Sequence, residues 1–330
     1  YPLRVDNESI LDSRKIYDLV DTIDVRDKDF KFVQFSQFNE PLMDSRIFEF
    51  YRYCYNKKIK ARCITNGLLL NSKEIRENFI SANPDAVKIS LQTISKEHFT
   101  HQRGIEIDTD RYFNILFKYL SDIKNHSYTS VTLDLACNFL NPFKKTIKKI
   151  AGISSEEPSI EDVPKRLSKD LQHFLRKLKD FDSSFNVDSN QINDFLNQSS
   201  AGYDFLNPPT IKLADNIEMA IKLFHYGRRI SDWKEYKGPV SCTNPILGIL
   251  ADGSVAPCCL SYDPDLSLGN INKKSLPDIL QDNKAWLNDL RETSPLKSKT
   301  CQKCMGAPTR RGIVYKNLIS KFSKLRRYIS

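Results

Sequence analysis

Apolar residues recur with two alternating periods over the first 140 or so positions. From Leu11 to Ile23 the spacing is helical, with Ile16, Leu19, Val20 and Ile23 on one side and Asp12 or Ser13 as the cap. Phe30 to Ser36 then reads as a strand and Ser45 to Asn56 as a helix. The same alternation predicts a strand over Lys60 to Thr65 and a helix over Ser72 to Ser81, then a strand over Ala86 to Leu91 and a helix over Thr109 to Asp122. Ser130 to Cys137 is a further strand. Strands alternating with helices predict an α/β fold, a parallel sheet with covering helices, open or closed into a barrel.

After Asn138 the rhythm breaks, and about 70 residues pass before the next strand candidate, Thr210 to Ala214, more than a crossover usually needs. Val163 to Leu178 carries a helical apolar stripe and Gln191 to Leu196 a shorter one, so the segment from about 141 to 209 reads as a helical insertion. Two roles are open to it, a substrate lid at the strand C-terminal ends or plain packing. Asn216 to Phe224 reads as the helix that completes the core. At Pro239 the composition turns rich in Pro, Gly and Cys, which divides the chain into a core of residues 1–237 and a smaller module of 238–330.

Bulk composition narrows the class without naming it. With 40% hydrophobic and 28% charged residues the chain is a globular protein, and no run approaches the roughly 18 apolar residues of a membrane span. No charged-then-apolar leader opens it, so the cytoplasm is the expected compartment. The net charge of +9 is concentrated in Lys144 to Lys149 and Lys316 to Arg327. A solvated basic face is the plainer account of those runs, and nucleic acid is not the expected partner.

The eight cysteines are unevenly placed, and in a reducing compartment their clusters point to metal rather than disulfides. Cys54, Cys63 and Cys137 lie among apolar residues and read as packing thiols, whereas the other five follow residue 240. The chemistry-bearing set is Cys242, Gly253-Ser-Val-Ala-Pro-Cys258 and Cys301-Gln-Lys-Cys304. Two intervening residues let Cys301 and Cys304 face one centre, and an Asp252-Gly253 turn would fold a hairpin that brings Cys242 and Cys258 together. Four thiolates suit a tetrahedral zinc or an iron–sulfur cluster, and spacing alone does not choose between them.

The run from Cys242 through Asp252-Gly253-Ser-Val-Ala-Pro-Cys258-Cys259, Leu268-Gly269-Asn270-Ile271 and Ser275-Leu-Pro-Asp-Ile279 to Cys301-x-x-Cys304 resembles SPASM, the auxiliary-cluster domain of radical S-adenosylmethionine (SAM) enzymes. With four ligand cysteines and none after Cys304 it is similar to the shortened twitch version, which implies one auxiliary 4Fe-4S cluster on Cys242, Cys258, Cys301 and Cys304. Cys259 then remains a packing thiol.

Motifs in the first half resemble the same family. Asn39-Glu40-Pro41 follows the first predicted strand, where the family has a Gly-Glu-Pro motif that holds the SAM amino group, and here Asn replaces the Gly. Thr65 with Asn66-Gly67 closes the next strand, as similar sequences do. Ser90 and Arg103-Gly104 are similar to the pair that contacts the SAM ribose and carboxylate, and a guanidinium suits a carboxylate in a bidentate way. Asn138, at the end of the next strand, would face the adenosine.

The resemblance implies a partial (βα)6 TIM-like barrel followed by a small α+β SPASM or twitch domain. It also implies a Cys-x-x-x-Cys-x-x-Cys loop ahead of the helix near Leu11. The first cysteine here is Cys54, so that loop and the first strand are expected on a segment preceding Tyr1. The activity implied is an oxidoreductase or maturase that generates a 5′-deoxyadenosyl radical from SAM to abstract hydrogen from substrate. A reductant such as flavodoxin or ferredoxin would serve it, and a peptide or protein is the preferred substrate. The alternatives are dehydrogenation of a sugar or aminocyclitol, a small polyhydroxylated substrate, and a zinc-stabilised nucleic-acid-binding module.

Overall fold

A computed structural model of the chain describes residues 11–27, 30–35, 40–97, 99, 107–126, 128–137, 163–201, 208–223, 234–236, 239–240, 246–258, 266–291, 294–295, 299–304, 306 and 314. The chain divides into two compact units, one of Val20–Pro142 and Glu157–Phe224, the other of Tyr1–Leu19, Phe143–Glu156 and His225–Ser330. Among the described residues no helix is long and apolar enough to cross a membrane.

The larger unit is an α/β layer built on a six-stranded sheet, as the alternating pattern implies. Its strands are β1 (Val33–Gln34), β2 (Ala61–Thr65), β3 (Ala86–Gln92), β4 (Ser130–Cys137), β5 (Thr210–Ala214) and β6 (Ile217–Leu223), in the spatial order β1-β2-β3-β4-β6-β5. Five of them run parallel, and β5 pairs antiparallel to β6 at the edge. The crossovers carry α2 (Ile47–Asn56), α3 (Lys73–Ser81) and α4 (Thr109–Ile123), while α1 (Ser13–Asp21) precedes β1. The helix starts are capped as their sequences dictate: Asp12 accepts from the backbone N–H of Arg14 at 2.8 Å, Ser72 from that of Ile75 at 3.3 Å and Asp108 from that of Arg111 at 2.8 Å.

Alternation along the strands separates the two faces of the sheet. Val87, Ile89 and Leu91 of β3 and Val131, Leu133 and Leu135 of β4 are all buried, whereas Lys88 and Ser90 are half-buried. The apolar face is covered by an aromatic layer in which Phe79 lies between Tyr51, at 5.9 Å, and Tyr119, stacked at 6.0 Å. Cys54 and Cys63 lie within this core, and burial pushes both thiols up to about 12, so they are packing thiols as their apolar surroundings imply.

One expectation meets a different structure. Asn216 to Phe224 is not a helix, because Ile217, Met219, Ile221 and Leu223 alternate with Glu218, Ala220 and Lys222, and this period of two joins β6 to β4. Asp215-Asn216 is the two-residue turn that folds β5 back on β6, with Ala214 opposite Ile217. The segment read as an insertion supplies covering helices: α5 (Val163–Phe181) and α6 (Ser189–Ala201). Phe174 of α5 meets Phe113 edge-on at 5.1 Å and Phe117 at 5.3 Å, both on α4. Asp182 accepts from Ser121 at 2.6 Å and pairs with Lys124, and Lys177 bonds Asp110 at 2.5 Å. Of the two roles open to it, packing is the one that residues 163–201 show.

In the smaller unit β8 (Gly248–Ile249), β9 (Ser254–Ala256) and β10 (Gly269–Asn270) form an antiparallel sheet, and β7 (Pro239–Val240) pairs with β11 (Ser294–Pro295). Helices α7 (Leu276–Asp282), α8 (Lys284–Arg291) and α9 (Lys299–Cys304) complete it. Lys15 of α1 donates to Asn272 within the same unit.

The packing of α5 on α4 yields a quantitative expectation. Phe174→Ala removes a fully buried ring from between two others and should cost about 3–5 kcal/mol in urea unfolding, so that a near-neutral result would mean α5 is not part of the core.

Candidate functional site

Glu40 organises the ends of β1 and β2. Its carboxylate accepts from the Thr65 hydroxyl at 2.6 Å and from the Asn66 backbone N–H at 2.8 Å, and it also caps the short turn Pro41–Met43 by accepting from Leu42 N–H at 3.3 Å. Pro41 begins that turn, where its missing N–H costs nothing, and is buried with Leu42. Thr65 is 2% exposed; its one proton is committed to Glu40, and its oxygen accepts from Gly67 N–H at 3.0 Å. Asn66 carbonyl accepts from Tyr112 of α4 at 2.7 Å, and its side chain accepts from Leu68 N–H at 2.8 Å.

Gly67 is required at the turn. Its φ is +80°, and a Cβ there would lie 3.0 Å from Leu116 and 3.2 Å from Ile89. Arg76, itself buried, ties the following turn down by donating to the carbonyls of Leu70 and Asn71 at 2.9 and 3.1 Å and to Asp122 at 2.7 Å.

Ser90 lies on the polar face of β3, two positions before Gln92, whose φ is +62° at a break in the β3–β4 register. The other positive-φ side chains, Lys58 and Asn83, sit just past the C-terminal ends of α2 and α3, where such backbone is common. Gln92 closes no helix, and the bulge re-aims the end of β3. Glu40, Pro41, Thr65 and Ser90 therefore all belong to the C-terminal ends of successive strands or the loops that leave them. Asn39, Arg103 and Asn138 lie outside the described residues.

The cysteine module is organised by its turn. Gly253, at φ +83°, closes the β8–β9 hairpin, and the Asp252 carbonyl accepts from Asn270 at 2.9 Å and from Asn272 at 3.0 Å. A Cβ on Gly253 would stand 2.7 Å from Asn272, so the Asp-Gly turn and the Leu268-Gly269-Asn270-Ile271 run are one packed unit. Cys258 emerges two residues past β9 and is half-buried. Cys301 and Cys304 stand three residues apart on α9, and both are half-buried thiols.

Cys242 lies outside the described residues, but the chain leading into it is fixed against α9's approach. Val240 and Pro239 pair with Ser294 and Pro295, and Tyr236 N–H donates to the Gln302 carbonyl at 2.9 Å. Gly306 closes that contact: a Cβ there would run into the Lys234 carbonyl oxygen. Among the described residues no three His, Cys, Asp or Glu side chains converge on one point, and Cys258 is not brought onto Cys301 and Cys304. The donor set itself is three half-buried thiols, the soft ligands that an iron–sulfur cluster or zinc takes.

Tyr112, Asn272 and Gly306 were not singled out by sequence, and Asn66 and Asn270 were read only as members of their motifs. Their signal was adjacency to motifs, since Asn66-Gly67 follows Thr65, Asn270 and Asn272 follow Leu268-Gly269, and Gly306 lies two residues after Cys304.

Residues 242–305 match the profile of the SPASM iron–sulfur cluster-binding domain. The match starts on Cys242 and ends one residue past Cys304. A comparison with curated protein sequences returned no match. Similar solved structures include SuiB of Streptococcus suis bound to S-adenosylmethionine, 13% identical, with 76% of this chain and 55% of that one covered and a TM-score of 0.39. SuiB bound to precursor peptide SuiA is 14% identical over 85% of this chain and 60% of that one, with a TM-score of 0.41. Native anSMEcpe with bound AdoMet and Kp18Cys peptide is 16% identical over 94% and 90%, with a TM-score of 0.42. The chain spans little more than half of the SuiB chain in its SAM complex, and at such identities and TM-scores the likeness carries no functional inference.

Two substitutions test the geometry. Glu40→Ala strips the carboxylate from the Thr65 hydroxyl and Asn66 N–H and should cost about 1.5–3 kcal/mol in urea unfolding, with Glu40→Gln, which keeps one acceptor oxygen, losing less. Gly306→Ala should lower stability by about 1–3 kcal/mol through the clash with Lys234, read as a fall in thermal midpoint, whereas an unchanged midpoint would mean that the two segments do not touch.

Proposed function

We propose that the chain belongs to a radical SAM enzyme that modifies a peptide or protein, with one auxiliary 4Fe-4S cluster in its SPASM-like segment. The observation that carries this reading is the SPASM match over 242–305, which encloses Cys242, Cys258, Cys301 and Cys304. All four proposed ligands are thiolates, so the domain has a complete soft donor set without recruiting another residue type. Asn39, Glu40, Pro41, Thr65, Ser90, Arg103 and Asn138 are the proposed SAM-binding set. Reduced iron–sulfur chemistry with SAM supplies, when both are bound, a carbon radical able to take hydrogen from an unactivated C–H bond.

The chain's own residues position and shield. Glu40 accepts from Thr65, Asn66 and Leu42, which fixes its carboxylate in the loop after β1 with its negative charge intact to meet the SAM amino group. Thr65 acts through that same network, because its proton goes to Glu40. Ser90 offers a hydroxyl on the polar face of the sheet, and the guanidinium of Arg103 suits the SAM carboxylate. A reductant such as flavodoxin or ferredoxin belongs to this reading, and SPASM enzymes as a group favour peptide substrates.

Iron analysis tests the proposal. The anaerobically reconstituted chain should bind about four irons per SPASM domain, the content of a cluster held by four cysteines. Cys→Ala at 242, 258, 301 or 304 should each bleach or destabilise the cluster absorption, while Cys259→Ala should leave it unchanged. Uptake of one zinc and no iron would overturn the reading in favour of a zinc module, and a requirement for Cys259 but not Cys258 would overturn the ligand set.

A further inference from the structure

Tyr112 of α4 is fully buried and aims its phenol at the turn that follows β2. The hydroxyl donates to the Asn66 carbonyl at 2.7 Å, and the ring packs on Phe99 with 5.2 Å between centroids. That carbonyl shares a planar peptide unit with the Gly67 N–H, which points the opposite way and donates to Thr65 Oγ1 at 3.0 Å. Thr65 in turn donates to Glu40 Oε1 at 2.6 Å. Three hydrogen bonds therefore run head to tail from a buried phenol to a carboxylate, and every donor in the series points toward Glu40.

Each bond in such a buried series polarises the next, so Glu40 is held by a stronger donor than an isolated threonine supplies. The Asn66–Gly67 plane is also pinned from both sides, which it needs, because glycine at φ +80° would tolerate the plane turned over. A flipped plane would take the Gly67 N–H off Thr65 and release the hydroxyl rotor that holds Glu40. We infer that Tyr112 is a positioning residue for the amine-binding carboxylate: through the Asn66–Gly67 peptide and the Thr65 hydroxyl it orients Glu40 toward the SAM amino group. This deepens the radical SAM reading and rests on it, and it adds a helix residue that belongs to none of the strand-end motifs.

Tyr112→Phe removes the hydroxyl and keeps the ring against Phe99. SAM affinity is measured by calorimetry on the full chain for the parent, Tyr112→Phe, Glu40→Gln and the double variant. In parallel, isotope labels on the asparagine carbonyl carbon and the glycine nitrogen single out this peptide in magnetic resonance spectra, since Asn66-Gly67 is the only Asn-Gly step in the sequence. Tyr112→Phe should weaken SAM binding about three- to tenfold, the effect of one neutral hydrogen bond, and only while Glu40 keeps its carboxylate. The Gly67 amide signal should shift in Tyr112→Phe and also in Glu40→Gln, from the other end of the series. Equal SAM affinity in the parent and Tyr112→Phe would overturn the inference. So would losses that simply add in the double variant, because a plain loop tether is indifferent to the charge on Glu40. If the parent binds no SAM, the radical SAM reading falls, while a Gly67 signal that responds to both variants would still establish the hold of Tyr112 on Glu40 and an unresponsive one would overturn that as well.

Discussion

The larger unit depends on the alternation that separates the two faces of its sheet. Five parallel strands set Val87, Ile89, Leu91, Val131, Leu133 and Leu135 against helices, and the same alternation sends Arg62, Lys88, Ser90 and Asp134 the other way. A one-residue slip in any strand would exchange the two sets, so the core enforces the polar face as strictly as it enforces itself. The aromatic layer of Tyr51, Phe79 and Tyr119 makes that enforcement expensive to violate. Burial of large rings on one side is therefore what holds a row of ionisable and hydroxyl groups in register on the other.

Glu40 shows how the loops inherit this order. A carboxylate accepting from a hydroxyl on β2 and a backbone N–H just past it couples the loop after β1 to the end of β2, beyond the last rung of their ladder at Gln34 and Arg62. Gly67 permits the turn sterically, Tyr112 holds the Asn66 carbonyl from α4, and Arg76 fixes the next turn from α3. The loop geometry is thus determined from three helical or strand elements at once. Precision at such a site comes from these supporting contacts, each of which alone is worth a modest amount.

Much of the larger unit was legible because period and caps agree. Ser130 to Cys137 and Thr210 to Ala214 match their strands residue for residue, and Asp12, one of the two caps expected for the first helix, accepts from Arg14 N–H. Ile217 to Leu223 was misread because Ile217, Ala220, Ile221 and Leu223 also fit a helical stripe, and the deciding feature, the two-residue Asp215-Asn216 turn, is local. Residues 163–201 were legible as helices but not as a cover for α4, since the Phe174 contacts with Phe113 and Phe117 span some sixty positions that no local pattern connects. In the same way the commitment of the Thr65 proton to Glu40 is a tertiary fact, invisible in a motif that lists both residues.

The segment that matches SPASM carries its information differently, because among its described residues polar turns outnumber the buried apolar side chains Val255, Ala256, Leu266 and Ile279 as organising contacts. Its order comes from polar turns: Asn270 and Asn272 grip the Asp252 carbonyl, Gly253 leaves room for them, and Asn283 ties α7 back to the Leu268 carbonyl at 2.9 Å. These contacts place β9, and with it the approach to Cys258, independently of α9. The approach to Cys242 is tied instead to the α9 side, by the β7–β11 pair and by Tyr236 on Gln302. Two separately ordered halves each bear cysteines, and the segment between β10 and β11 consists of helices α7 and α8 with Ile279 as a buried anchor. Binding of four thiolates to one cluster would join those halves covalently through metal, so the free energy of ligation would serve as folding free energy for the domain.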